Sequence, residues 1–189
     1  MIISLGHKRN RGKGLLANFL VKEYGFIEVA FADPIKDISM SAFDWHNKEF
    51  NEGKEIVDSR WGISPRAAFQ RVGTMFRKEF GADFWIKSLL SHIDNLTKAN
   101  PRYRYVISDM RFTNEAEALL GRGAFLVKVE RDVPYIHSID SHQSEIDLDN
   151  FDKWHATLYN GTEVALPTLY KVMESLVNSF TEIESSRNA

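Results

Sequence analysis

The sequence predicts an α/β fold in three layers, with a parallel sheet of about five strands flanked by helices. Three observations predict it. Short apolar runs rich in Ile, Val, Phe and Tyr alternate with longer segments whose apolar residues recur at helical spacing. Strands that alternate with helices pair in parallel, and the helices cover both faces of the sheet. Several strand-like runs also lead into charged residues: Gly6 to Lys13, Asp33, Asp109 and Glu130-Arg131. In open α/β sheets the ligand lies beyond those carboxyl ends.

Each element has its own signal. Ile2-Ile3-Ser4-Leu5 reads as a short buried strand, and Gly14 to Leu20 as the start of an amphipathic helix. Ile27 to Phe31 reads as the second strand. Pro34 suits the first turn of the next helix, with Asp33 as its N-cap and Ile35, Ile38, Met40 and Phe43 along its length. His46 to Arg60 is polar and irregular. Ser64-Pro65 opens a helix through Phe69, Phe76 and a face of Ala68, Val72 and Met75 expected to join the core. Another runs from about Ala82 through Ile93, until Asn100-Pro101 breaks it. Tyr105 to Ser108 is a buried strand ending on Asp109. A helix around Ala116 and Leu119 stops at Gly121-Arg122-Gly123, and Phe125 to Val129 is the next strand. Asp132 to Asp152, rich in Ser, Asp and His, reads as a surface loop or lid. Ala156 to Tyr159 is the last strand and Glu163 to about Phe180 the last helix. The expected organisation is one domain over residues 1–180 with a lid region at 132–152, followed by a flexible tail at 181–189.

Composition narrows the function. A chain of 189 residues with 43% apolar and 26% charged residues can bury one ordinary core. A net charge of −2 argues against a basic surface built for duplex nucleic acid. With no cysteine, disulfides and thiolate metal sites are excluded, and a reducing compartment fits. The first residues lack a signal-peptide layout and no stretch reaches membrane-span length, so a soluble, cytoplasmic protein is expected.

Against that near-neutral background, Lys8, Arg9, Arg11 and Lys13 concentrate positive charge between a strand and a helix. Backbone N–H groups at a helix start, a permissive glycine and a lysine together make a polyphosphate cradle, and the order matches a P-loop. Two departures stand out. His7 to Arg11 is one residue longer than the usual spacer between Gly6 and Gly12, and Gly14-Leu15 stands where Ser or Thr is usual. Phosphoryl transfer needs positioning, cations on the phosphates and carboxylates for magnesium or the acceptor hydroxyl. Lys13 suits the β- and γ-phosphates, with Arg9 and Arg11 as added charge or solvated turn residues. Asp109 suits a magnesium-holding carboxylate or a turn cap. Asp33 suits a general base or orienting carboxylate, or simply a cap. Arg66, Gln70 and Gly73 or Thr74 share a helix face, where Arg suits a phosphate and Gln a base edge. His137, Asp140, His142 and Glu145 cluster in sequence without any known zinc spacing, so a solvated loop is the better reading. No Gly-x-Ser-x-Gly elbow occurs.

Taken together, several segments resemble the deoxynucleoside monophosphate kinases encoded by tailed phages, within the P-loop nucleotide kinase superfamily. They are the loop Gly6 to Lys13, Phe31-Ala32-Asp33-Pro34, Trp61 to Arg66 with Gln70 to Thr74, and Ile107 to Glu115. Val129-Glu130-Arg131, His142-Gln143-Ser144-Glu145 and Asn160-Gly161-Thr162 complete the set. The resemblance spans Ile2 to about Leu176. It implies a P-loop kinase-like fold, with ATP and Mg2+ as cofactors and a deoxynucleoside monophosphate as acceptor. It implies donor contacts at Gly6, Lys8, Arg9, Arg11, Gly12, Lys13, Gly14, Arg131 and Asn160. Acceptor contacts would come from Asp33, Arg66, Gln70, Asp109 and Glu145, catalytic roles from Lys13, Asp33 and Arg111, and metal binding from Asp109. Leu15 cannot ligate magnesium, which keeps two alternatives open: a noncatalytic nucleotide- or nucleic-acid-binding descendant, and a kinase acting on a modified base in DNA. The expected partners are small nucleotides, in the host cytoplasm if phage-encoded, with a homodimer left open, since Phe84, Trp85 and Tyr135 suit a dimer face or a core equally well.

Overall fold

The computed structural model describes residues 1–46, 53–132 and 143–187. By its contacts the chain divides into two units, Met1–Ala30 with His92–Ala189, and Phe31–Ser91.

The first unit holds the sheet. Its strands are β1 (Ile2–Gly6), β2 (Ile27–Val29), β3 (Tyr105–Met110), β4 (Phe125–Glu130) and β5 (Ala156–Tyr159). All pair in parallel in the order β2-β3-β1-β4-β5. β1 is central, with Ile3 opposite Val106 on one side and Phe125 on the other. Covered on both faces, its Ile3, Ser4 and Leu5 are wholly buried, as an apolar parallel strand requires. The chain crosses from β3 to β4 over β1, so the segment after β1 leaves the sheet at the switch point where α/β proteins bind ligands.

Helix α1 (Lys13–Tyr24) follows β1 and ends at Gly25, whose left-handed φ of 65° lets its N–H close on Leu20 and Val21 carbonyls. α1 and the last helix, called α6 below (Leu166–Arg187), pack on one face. Leu16, Ala17 and Leu20 meet Leu169, Met173, Val177 and Phe180 there, over Ile3, Leu5, Phe125 and Val127. Phe180 stacks on Phe125 with centroids 4.2 Å apart. The short helix α5 (Thr113–Gly121) joins β3 to β4 and buries Ala116 and Leu119.

The second unit contains α2 (Asp33–Phe43), α3 (Pro65–Phe80) and the first turns of α4 (Phe84–Ala99). Ser64 caps α3 by accepting the Ala67 N–H, and Pro65 takes the first helical position. Trp45 is buried, stacked on Phe43, and its indole N–H donates to Asp58 at 2.7 Å. Trp85 donates to the Gly73 carbonyl at 3.0 Å, with Phe76 and Phe84 around it.

The α/β class, the parallel pairing and the strand count match the expectation, while several boundaries move. β2 stops at Val29, and Ala32 rather than Asp33 caps α2. Asp33 is the first helical residue instead, and its carboxylate is drawn along the helix to Lys36 at 2.9 Å. Met75 is 57% exposed rather than core. The buried face of α3 runs through Pro65, Ala68 and Gly73, because α2 presses close enough that a Cβ on Gly73 would lie 3.2 Å from Ile35 Cδ1. The last helix starts at Leu166 and continues to Arg187, past its expected end near Phe180. Contacts that hydropathy does not encode hold that extension: Glu184 pairs with the Met1 amino group at 3.0 Å, and Arg187 lies over the Phe125 ring. Of the expected lid, residues 133–142 lie outside the described residues, and with them Tyr135, His137, Asp140 and His142.

The Phe125–Phe180 stack ties the end of α6 to the sheet. Phe180→Ala is expected to lower unfolding free energy by about 3–5 kcal/mol in urea titration. Removal of residues 185–189 is expected to cost less than half of that.

Candidate functional site

The loop between β1 and α1 is shaped by three left-handed residues, His7 at φ 85°, Asn10 at 60° and Gly12 at 93°. Gly enters this region freely, and Asn and His enter it more readily than most side chains. Gly12 has a second reason to be glycine, since a Cβ would lie 2.2 Å from Asn160 Nδ2. At Gly6 a Cβ would lie 2.5 Å from the Trp154 ring. The backbone there must pass under Trp154, a packing demand that the loop pattern does not reveal.

Lys13 opens α1 and is 6% exposed. Its ammonium donates to the His7 carbonyl at 3.0 Å and to the Lys8 carbonyl. Each peptide plane that turns its carbonyl inward turns its N–H the other way. The Lys8 carbonyl faces Lys13, and the Arg9 N–H of the same peptide donates to Glu145 Oε2 at 3.3 Å. The loop therefore presents N–H groups to an anion while its carbonyls hold a cation. Burial pulls the Lys13 pKa from 10.5 down to about 7; Arg111 and Arg11 add to that pull, and Glu145 and Asp109 oppose it.

Arg111, at the end of β3, is placed by its neighbours. Its guanidinium pairs with Glu145, and its N–H donates to Glu115 Oε2 at 2.9 Å. The same oxygen accepts the Phe112 N–H at 3.1 Å, so a carboxylate 2% exposed fixes two backbone groups at the start of α5. Asp147 accepts the Thr113 N–H at 2.7 Å, pinning the 143–149 segment to the same helix start. His7 and Lys8 both meet Asp149, at 3.0 and 2.9 Å.

On the other side, Arg11 donates to the Arg131 carbonyl. Asn160 Nδ2 donates to the Arg11 carbonyl at 2.9 Å, and its backbone N–H to the Glu130 carbonyl at 2.7 Å. Here lies a cavity of about 230 Å³ lined by His7, Lys8, Arg11, Glu130, Arg131, Asp132 and Tyr159. Arg131 Nε is buried with no hydrogen-bond partner among the described residues. An orphaned donor beside a cationic cavity fits an anionic ligand such as a nucleotide phosphate.

For magnesium the fit is narrower. Among the described residues no group of three or more His, Asp or Glu is placed to hold a metal. Magnesium commonly uses one or two carboxylates plus phosphates and water, a role that half-buried Asp109 can fill. Gly14 and Leu15 offer no side-chain oxygen. The space at Gly14 is open, since a Cβ there would meet nothing within 4 Å.

Of the residues expected at the site, Gly6, Lys8, Arg9, Arg11, Gly12, Lys13, Gly14, Asp109, Arg111, Arg131, Glu145 and Asn160 all belong to the sheet-bearing unit. Asp33, Arg66 and Gln70 belong to the other. There Arg66 pairs with Glu55, and Gln70 lies exposed one turn further along α3. His7, Glu115, Asp147 and Asp149 were not expected. Only Glu115 carried a signal, as an acidic residue in the first turn of a helix.

No family model matches the chain. Over 176 residues it is 32% identical to a protein of Acanthamoeba polyphaga mimivirus provisionally named a deoxynucleotide monophosphate kinase, covering 87% of this chain and 90% of that one. The chain belongs to the deoxynucleotide monophosphate kinase family. Its fold is similar to that of dephospho-CoA kinase from Campylobacter jejuni, with a TM-score of 0.52 at 11% identity, over 95% of this chain and 96% of that one. This is therefore a kinase with a P-loop nucleotide-kinase fold. No helix among its described residues is long and apolar enough to cross a membrane.

Two measurements check the site of this kinase. Between about pH 7 and 10.5 the unfolded chain keeps a proton that folded Lys13 has lost, so this group makes stability rise with pH across that window. Relative to Lys13→Met, the wild type is expected to gain up to about 1.4 kcal/mol per pH unit in urea titrations from pH 7 to 9. Parallel profiles would mean that Lys13 stays charged. Glu115→Ala, which orphans two backbone N–H groups, is expected to cost about 2–4 kcal/mol. Glu115→Gln keeps an acceptor oxygen and is expected to cost less than half as much in the same titration.

Proposed function

We propose that this kinase transfers the γ-phosphate of ATP to a deoxynucleoside monophosphate, giving the diphosphate. The observation that carries the reading is the loop itself: Lys13 at the head of α1 lies buried on its carbonyls within reach of the Arg111 charge, and Glu145 joins the Arg9 N–H to the Arg111 guanidinium. The mimivirus relative's name supports the acceptor class.

ATP would be the phosphoryl donor, and a magnesium ion held by Asp109 together with nucleotide and water oxygens would neutralise phosphate charge. This chain's residues then position and stabilise. Lys13, held near neutrality without ligand, takes up full charge against an anion, because an opposite charge reverses the shift that burial imposes. Arg111 supplies a guanidinium for the charge developing on the transferred group. The loop N–H groups, with Lys8, Arg9, Arg11, Gly12 and Gly14, hold donor phosphates, and Arg131 covers them. Asn160 already commits an amide hydrogen to Arg11, so it supports the loop and offers its remaining groups to the donor base. Asp109 orients the metal. Arg66 and Gln70 hold the acceptor's phosphate and base, and Asp33 orients the accepting oxygen. Glu145 acts on substrate by holding Arg111 and the Arg9 N–H.

The deciding assay is magnesium-dependent conversion of ATP to ADP with each deoxynucleoside monophosphate, its ribonucleotide counterpart and DNA. Turnover with particular deoxynucleoside monophosphates is expected, falling about a hundredfold or more in Lys13→Ala. No turnover with any monophosphate would sink the reading, and turnover only with DNA would assign the acceptor to a base in a polymer.

A further inference from the structure

Alternate residues from Glu145 to Asp149 are acidic, and the three carboxylates are used differently. Asp147 is the anchor: it accepts from Thr113 N–H at 2.7 Å and from the Gln143 amide at 2.8 Å, and Thr113 Oγ1 donates to its carbonyl at 2.9 Å. The residues two positions to either side then reach the phosphate loop. Glu145 takes Arg111 and the Arg9 N–H, while Asp149 takes Lys8 Nζ at 2.9 Å and the His7 ring at 3.0 Å.

Lys8 and His7 also line the cationic cavity with Arg11 and Arg131. An oxygen of Asp149 on those two groups uses the donors that a phosphate oxygen would use, with similar charge and distance. The Asp149 side chain is 37% exposed, so it can swing into water without breaking the anchor at Asp147. Nothing in the phosphate reading of the loop requires a carboxylate there. A carboxylate is favoured there without a ligand, because the Lys8 charge bears on His7 and the Arg11 and Arg111 charges bear on the Lys13 amine.

We propose that Asp149 is a built-in phosphate surrogate: it occupies Lys8 and His7 in the ligand-free protein and is displaced when a polyphosphate enters. The inference rests on the phosphate-loop reading given above and adds a competitor inside the chain. Donor affinity is then set partly by how readily this carboxylate leaves.

The test is calorimetric titration of the full chain with inorganic tripolyphosphate, comparing wild type, Asp149→Asn, Lys8→Ala and the double variant. Melting curves check that each is folded. Asp149→Asn is expected to bind about threefold or more tightly. In the Lys8→Ala background the same change is expected to have an effect of less than about twofold, since the charged one of the two competed groups is gone and only the His7 ring remains. Equal binding by wild type and Asp149→Asn would overturn the inference and leave the phosphate reading intact. Weaker binding by a folded Asp149→Asn would also overturn it, making Asp149 a residue that shapes the loop for its ligand. Absence of binding in all four proteins would remove the phosphate reading, and this inference with it.

Discussion

The buried ammonium of Lys13 is the constraint on which the loop depends. A charged group with so little access to water must be satisfied by the protein, and the nearest acceptors are the carbonyls of His7 and Lys8. Turning those carbonyls inward sets the peptide planes and sends the following N–H groups outward. It also requires tight local turning, and His7, Asn10 and Gly12 all lie in the left-handed region. Residues fixed from outside then keep the loop in place: Asn160 on the Arg11 carbonyl, Trp154 over Gly6, and Glu145 on the Arg9 N–H. The arrangement that turns these N–H groups outward follows from the one that buries the Lys13 amine.

The extra loop residue has a place in this scheme. Lengthening a cradle by one residue would ordinarily disorder its N–H groups. The turn at Asn10 takes up the added length with a residue that tolerates φ of 60°. The Gly12 carbonyl still starts α1 by accepting from Leu15 and Leu16 at 3.1 and 3.2 Å. The absent hydroxyl is different. Gly14 leaves open space, and Leu15, 38% exposed, brings no oxygen. Neither position supplies an oxygen for magnesium, which leaves the half-buried carboxylate of Asp109 as the group that would have to meet the ion along with nucleotide and water oxygens.

The sheet was legible because strand burial is periodic and local. Ile2 to Leu5, Tyr105 to Ser108 and Ala156 to Tyr159 announce themselves by composition, and each lies within a strand. The strand, turn and helix around the basic loop were legible because a short apolar run, glycines and a helical apolar pattern follow one another there. The acids that organise it were not. Asp147 and Asp149 sit in a polar stretch where nothing in the sequence separates a solvated carboxylate from one that reaches 34 residues back to Thr113, as Asp147 does, or 141 residues back to Lys8, as Asp149 does. Helix boundaries failed for a related reason. Asp33 is a good cap by type, but Lys36 competes for its carboxylate; Met75 is apolar by type, but the glycine two residues earlier decides which face packs.

Charge in this site is balanced in tiers. The innermost cation, Lys13, has backbone carbonyls as direct partners and is pushed towards neutrality. Arg111, half-buried, has a carboxylate that is itself tied to the loop. Lys8 and His7, no more exposed than Arg111 themselves, have a carboxylate with an open route to water. The carboxylate partners thus differ in access to water, Glu145 at 10% exposure and Asp149 at 37%. An entering anion would more readily replace the carboxylate that is open to water, while the buried lysine has most to gain from a new charge. Anchoring the acidic segment at Asp147, on the helix start that follows Arg111, keeps these exchanges local. The outer carboxylate can move while Arg111 stays held through Glu115, so that movement need not disturb the residues that would act on the transferred group.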